Sequence, residues 1–395
     1  MSTKIKNARI ITSHRFIENG SILVNAGKIV KISSNNMTDF ADETIDAKGN
    51  YVAPGFIDIH IHGGGGSDFM DATVPDFLRV AETHLKFGTT AMVPTTLTAA
   101  KEDLLLTLEV YRQANAQNRE GAGFIGMHIE GPYFSLAQKG AQDPKYIRKP
   151  DPAEYEEIVE KHGDIIARWS AAPEIEGALA FGQHMRDHHI LPAIAHTDAL
   201  YEDVVDAFEN GFSLATHFYS SMSGVTRRNA MRHAGVIETV YLMDEIDVEI
   251  IADGVHLPVP LLQLIHKIKG TDRTALITDA MRAAGTDVKE SRLGSKLNGM
   301  DVIIEDGVAK LPDRTSFAGS IATADRLVRT MVNLAHIPLI EVIRMMSLTP
   351  ARIMGIEQQK GSIAVGKDAD LVLLDDRLMV RAVFLAGQIH HNQGW

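Results

Sequence analysis

Eight short apolar runs, each followed by a longer stretch with apolar residues three and four apart, constrain this chain more than any other feature. The runs are GFIDIHIH (55–62), TTAMVPTT (89–96), GFIGMHIE (123–130), RWSAAPE (168–174), ILPAIAHT (190–197), FSLATHFY (212–219), VEIIADGVH (248–256) and TALITDA (274–280). Intervening segments such as DFLRVAETHLKFG and YEDVVDAFENG repeat apolar residues at the spacing of one helix face. Eight buried strands alternating with helices predict a parallel (β/α)8, TIM-like barrel, here spanning residues 54–355. The runs are apolar throughout because both faces of such a sheet are covered. One interruption, near 295–313, reads as a hairpin with Asp306-Gly307 at its turn.

The two ends have a different rhythm. KIKNARIIT, SILVNAGKIVKIS and ETIDAKGNYV carry β-branched residues in part-alternating order, separated by turn residues. DADLVLLDD and MVRAVFLAGQIHH repeat that pattern, with a turn near Asp375-Asp376. Residues 1–53 and 356–395 are therefore expected to form one small β-sandwich domain from both termini. A length of 395 residues suits a barrel with such an appendage. No run approaches the roughly 18 apolar residues of a membrane helix, and MSTKIKNARI has no apolar segment of a signal peptide. With 39 Lys and Arg against 51 Asp and Glu, the net charge of −12 argues against nucleic-acid or membrane partners. The chain has no cysteine, which excludes disulfides, thiolate metal sites and cysteine nucleophiles, and is compatible with a cytoplasmic setting.

Polar residues fall at the ends of the runs. His60 and His62 end the first, Glu130 the third, His196 the fifth, His217 the sixth and Asp279 the eighth. In a β/α barrel those ends converge on one mouth, where active sites lie. Imidazole and carboxylate suit Zn²⁺, the first choice here, or Fe²⁺. In His60-Ile61-His62, residues i and i+2 share one strand face, so both rings reach one ion. His84, His162, His184, His188, His189, His233, His266, His336, His390 and His391 read as satisfied or surface groups, Met222, Met231, Met243, Met281, Met345 and Met346 as core, and Trp169 as packing. Gly63–Gly66 reads as a mobile or close-packed loop, since no Gly-Lys-Ser/Thr follows it.

The residues Pro54-Gly55-Phe56-Ile57-Asp58-Ile59-His60-Ile61-His62 resemble the opening signature of the amidohydrolase superfamily. His128-Ile129-Glu130-Gly131-Pro132-Tyr133 and Ala252-Asp253-Gly254-Val255-His256 are similar to phrases of its N-acetylglucosamine-6-phosphate deacetylase family. So are Ala195-His196-Thr197, Thr216-His217-Phe218-Tyr219, Thr278-Asp279-Ala280 and Ala318-Gly319-Ser320, and the resemblance runs in order along the whole chain. It implies that Glu130, His196 and His217 hold the main divalent ion. His60 and His62 would hold a second, with Glu130 shared. Asp279 would be the general base, then the acid toward the leaving amine. The resemblance also implies an anionic N-acetyl amino sugar as substrate, acetate and an amino sugar as products, and a homodimer.

On the sugar side it assigns Arg228 to the phosphate and His256, Phe317 and Ala318 to the sugar. Three stretches depart from the family pattern. Ser220-Ser221-Met222 replaces Asn-Ala-Met. Arg228 is followed by Asn229-Ala230-Met231 instead of Glu-Pro-Gly. Gln142 stands where a substrate-contacting His is usual. All three lie on the substrate side, so a 6-sulfated or galacto-configured sugar is the alternative substrate. A cyclic amide and a non-catalytic assembly barrel are the more distant readings, and the intact ligand set argues against the last.

Overall fold

The computed structural model describes residues 2–394. All eight apolar runs are strands: β1 Phe56–Ile61, β2 Thr89–Pro94, β3 Met127–Glu130, β4 Ile166–Ala171, β5 Leu191–Ile194, β6 Leu214–Ala215, β7 Asp247–Ile251 and β8 Thr274–Ile277. Each is followed by a helix: α1 Val74–Leu85, α2 Lys101–Gln117, α3 Pro152–His162, α4 Ala178–Asp187, α5 Tyr201–Glu209, α6 Val236–Leu242, α7 Val259–Lys269 and α8 Ala324–Asn333. Parallel pairing runs β3-β4-β5-β6-β7-β8 without a break. β1 pairs with β2 in parallel, Phe56 opposite Thr89. Thr95 bridges to His128, joining β2 to β3. Asp279 N–H donates to His60 O at 2.9 Å and His62 N–H to Ala280 O at 2.9 Å, joining β8 to β1. The parallel strands thus curl into a TIM-barrel-like ring.

Local chemistry explains the alternation. Every residue of β1 and β2 is buried, as a doubly covered sheet requires. In α1, Thr73 caps the N-terminus by accepting from Asp76 N, and Pro75 sits in the first turn, where its missing N–H costs nothing. Phe77, Val80, Ala81, His84 and Leu85 form its one buried face. Gly88 then turns the chain into β2 at φ 95°, and a Cβ there would lie 2.7 Å from the Phe56 ring.

The ends of the chain meet in a separate sheet of eight strands. Val380–Leu385 and Leu371–Leu374 from the C-terminus pair in sequence with Tyr51–Pro54, which adjoins Ser2–Ile11. Ile5, Ile22, Ile29 and Val52 share one buried cluster with Leu371, Leu373 and Phe384. The interruption after β8 is a three-stranded antiparallel meander, Glu290–Leu293, Met300–Glu305 and Val308–Lys310. Its second turn is Asp306-Gly307, both at positive φ, as that dipeptide predicts. Among the described residues, no helix is long and apolar enough to cross a membrane.

Candidate active site

Four of the six polar groups at the barrel mouth lie just past a strand end. His196, His217 and Asp279 each follow a strand end by two residues and adopt left-handed backbone, at φ 46°, 33° and 46°. Such a conformation costs a non-glycine residue of the order of 1–3 kcal/mol and persists only where the surroundings impose it. Here it turns each side chain back over the barrel mouth. His60 and Glu130 stay inside their strands, and His62 follows β1 directly.

These six side chains converge around Glu130. Its Oε1 lies 3.0 Å from His217 Nε2, 3.5 Å from His196 Nε2 and 3.5 Å from His60 Nε2. Its Oε2 lies 3.6 Å from His62 Nε2. Asp279 Oδ1 is 3.1 Å from His62 Nε2 and 3.5 Å from His60 Nε2. Two groups that could each hold a metal ion result, His60–His62–Asp279 and Glu130–His196–His217, each with candidate ligand atoms within 4.8 Å of one another. Glu130 belongs to the second group and also lies within 3.6 Å of both histidines of the first.

The electrostatics describe a site short of positive charge. Burial pushes the Glu130 carboxyl up, but hydrogen bonds from His196 and His217 and the nearby His60 and His62 hold it well below the usual range. Asp279 is likewise pushed up by burial and held down more strongly by His62. Burial works against an imidazolium at His62, yet Asp279 and Glu130 raise it to about 9. His217 is raised too, with Glu130 outweighing burial, whereas burial prevails at His60 and lowers it. Ionised carboxylates that draw protons onto neighbouring imidazoles are a cluster a divalent cation would satisfy without protons. The donor set, nitrogen and oxygen with no sulfur, fits such an ion.

A cavity of about 150 Å³ opens above these groups. Gln142, Ser220, Ser221, His256 and Phe317 line it, with Gly140, Ala141, Leu97, Leu293, Ser316 and Gly319. His256 is held by Asp253, whose Oδ2 is 2.8 Å from its Nδ1, and its ring packs on Phe317 at 4.5 Å. Gln142 faces the cavity with its amide already engaged. Its Nε2 donates to Glu130 Oε2 at 2.8 Å, and its Oε1 accepts from Thr98 N–H at 3.0 Å. Ala318 is fully buried among Met281, Leu293, Val302 and Ala309, outside the lining. Arg228 is exposed at the turn of a two-stranded hairpin, Thr226–Arg228 with Met231–His233, also outside the lining. Among the described residues the lining contains no Lys or Arg.

The Gly63–Gly66 loop is close-packed at Gly63, Gly64 and Gly65 and open at Gly66. A Cβ on Gly63 would lie 2.4 Å from Ser67 O, and one on Gly64 2.5 Å from His84 Nε2. His84 is buried and bonded to Gly63 O at 2.9 Å, and Trp169 stacks on Tyr133, so both act in packing. Sequence reasoning missed the polar layer beneath these two groups. Arg168, Glu249, Ser170, Thr216 and His128 are all fully buried and linked by hydrogen bonds. The available signal was a charged residue flanked by apolar ones within a barrel strand, Arg168 in β4 and Glu249 in β7.

Known proteins share this architecture and its order along the chain. The Amidohydrolase family model matches residues 51–390. An N-acetylglucosamine-6-phosphate deacetylase of Bacillus subtilis is 33% identical over 392 residues, covering 98% of this chain and 97% of that protein. An N-acetylgalactosamine-6-phosphate deacetylase of Escherichia coli O157:H7 is 30% identical, covering 98% and 99%. The solved structure of a mutant N-acetyl-D-glucosamine-6-phosphate deacetylase from Mycobacterium smegmatis, in complex with N-acetyl-D-glucosamine-6-phosphate, superposes with a TM-score of 0.90 at 30% identity, covering 98% and 99%. Matched along almost its whole length in both sequence and structure, the chain belongs to the amidohydrolase family, among its N-acetylglucosamine-6-phosphate deacetylases.

Proposed function

We propose that the protein removes the acetyl group from N-acetylglucosamine 6-phosphate, giving glucosamine 6-phosphate and acetate in amino-sugar catabolism. The observation that carries this reading is the convergence of His60, His62, Glu130, His196, His217 and Asp279 at the floor of one cavity. Glu130, His196 and His217 would hold the main ion, with His60 and His62 available for a second. Zn²⁺ suits this nitrogen- and oxygen-rich set, and Fe²⁺ is the alternative. When bound, a divalent cation lowers the pKa of a water molecule and draws charge from the amide carbonyl.

The chain's own residues do the rest. Asp279 is kept ionised, so its Oδ1 can take the proton of the attacking water. It returns that proton to the sugar nitrogen as the carbon–nitrogen bond breaks, and amide plus water becomes amine plus acetate. Gln142 holds Glu130 in place, a role in addition to the substrate contact its position implies. His256, fixed at Nδ1 by Asp253, presents Nε2 to the sugar. Phe317 covers the ring, and Ser220 and Ser221 offer hydroxyls at the rim.

The anionic group needs a cation that the lining lacks. Arg228 remains our candidate, and from its exposed hairpin it reaches a substrate only by movement of that hairpin or by association of two copies. A homodimer, cytoplasmic, is part of this proposal. So is the division into a barrel at 54–355 and a small β-sandwich from 1–53 and 356–395, which the shared cluster of Ile5, Val52 and Leu371 supports.

A second reading keeps the chemistry and changes the sugar to galacto configuration. The 30% identity to an N-acetylgalactosamine-6-phosphate deacetylase favours keeping it. Acetate release across phosphorylated, sulfated and neutral N-acetyl-hexosamines of both configurations decides between them. The first reading expects the highest kcat/KM for the gluco 6-phosphate. A higher value for the galacto sugar or for a neutral sugar overturns it.

A further inference from the structure

One layer below the metal-ligating groups, the barrel holds a charged pair that the reaction above does not use. Arg168 on β4 and Glu249 on β7 are both 0% exposed. Arg168 Nη1 bonds to Glu249 Oε1, and Nη2 lies 3.0 Å from Oε2. The guanidinium also donates to Ile59 O at 3.2 Å and to Thr216 Oγ1 at 3.0 Å. Desolvating two charges is costly, and apolar replacements of equal volume are often no less stable. Stability alone is therefore a weak reason for this pair, and its position suggests another.

Glu249 Oε2 is 3.6 Å from Nδ1 of His60, a buried nitrogen with no hydrogen-bond partner within range. The opposite ring nitrogen, Nε2, faces the site: His62 Nε2 at 3.2 Å, Glu130 Oε1 at 3.5 Å and Asp279 Oδ1 at 3.5 Å. A neutral imidazole carries one N–H and one lone pair, and a metal takes the lone pair. An ionised carboxylate only accepts, so Glu249 favours the proton on Nδ1 and leaves the lone pair on Nε2. Arg168 donates to both oxygens of Glu249, which leaves them as acceptors, and its bond to Ile59 O ties the pair to the residue before His60.

We propose that Glu249, held by Arg168, is a positioning residue that selects the His60 tautomer and thereby sets the affinity for the cation held by His60, His62 and Asp279. This rests on the metal-site reading above. Partners of metal-ligating histidines typically change metal affinity by about 10–100-fold.

The test combines two readouts on the whole enzyme. Zn²⁺ titration of metal-free wild type and Glu249→Gln should show two classes of site in the wild type. In the variant the weaker class should lose about 10–100-fold in affinity, with the stronger class changing little. Histidine ¹⁵N spectra without metal should show a larger share of Nδ1–H for His60 in the wild type than in the variant, against the pull of the Glu130 and Asp279 carboxylates on Nε2. Because Glu249→Gln leaves Arg168 poorly paired, Arg168→Met with Glu249→Leu provides an apolar core of similar volume. That double variant should fold, by its thermal melt, and show the same selective loss. Equal loss at both classes, or no loss in either variant, overturns the proposal. So does an unchanged His60 tautomer, or a single class of site in the wild type. A wild type that binds no cation instead overturns the metal-site reading, and the metal-free tautomer still reports on Glu249 independently.

Discussion

Asp279 has 8% of its surface exposed and sits 3.1 Å from His62. Its carboxylate is placed to accept a proton, and an amide of the same shape is not. Asp279→Asn should lower kcat by about 10²–10⁴, the usual contribution of a general base, while the ion at Glu130, His196 and His217 remains bound. Steady-state acetate release with metal analysis checks both halves. A loss below tenfold removes Asp279 from the role. The residue scale also corrects how a single position is read. Gln142 occupies a place associated with substrate, yet both ends of its amide are committed to Glu130 and Thr98. Conversely, Ala318 lies in the segment expected over the sugar but points into packing. Sequence position identified the loop in both cases, and only the packing showed which way each side chain turned.

At the scale of elements, the loop after β1 determines where His62 stands. Gly63 is flanked by Ser67 O and the Arg282 backbone, with 2.4 Å and 2.9 Å available to a Cβ. Both neighbours are backbone and cannot swing aside. Gly63→Ala should cost about 1–3 kcal/mol, as overpacking does, and should weaken metal binding through His62. The comparison is Gly49→Ala, where φ is 78° but nothing lies within 4 Å of a Cβ. Thermal melts and Zn²⁺ titration of the two variants separate crowding from backbone strain.

The same loop is clamped to the meander by Arg282, which grips Asp71 with both nitrogens at 2.7 and 2.8 Å. Burial pushes Asp71 up, but Arg282 and the Lys296 N–H outweigh it and hold the carboxyl below its ordinary value. A carboxyl lowered in the folded state adds stability above its unfolded pKa, about 3.9. That stability is lost as pH falls through the lower folded value. Asp71→Asn should therefore destabilise the protein more at pH 7 than near pH 3, as read by urea unfolding. Equal destabilisation at both pH values means the charge contributes nothing.

For the whole molecule, the distribution of charge is the open feature. The chain carries −12, its cavity contains two carboxylates, and yet its relatives act on phosphorylated sugars by name. Arg228 stands on an exposed hairpin outside that cavity. A charge-assisted hydrogen bond contributes roughly 1.5–3 kcal/mol. Arg228→Ala should accordingly raise KM for the 6-phosphorylated substrate by about ten- to a hundredfold and leave neutral N-acetylglucosamine almost unchanged. Equal changes for both sugars mean that Arg228 is only a solvated surface residue.

Periodicity and local chemistry by themselves determined the eight strands, their helices, the Asp306-Gly307 turn and the six groups at the barrel mouth. Those features depend on near neighbours in the chain: a two-residue repeat aligns His60 with His62, and an apolar run stops where a polar group of the barrel mouth begins. Tertiary structure decided what depends on partners far apart in sequence. Arg168 and Glu249 are 81 residues apart and meet only because the barrel closes. Arg282 reaches Asp71 across 211 residues for the same reason. The side-chain directions of Gln142, Ala318 and Arg228 likewise follow from how loops pack on one another, which no local pattern encodes. Backbone strain at His196, His217 and Asp279 belongs to that second class, because the closed ring imposes a conformation that their own sequence disfavours.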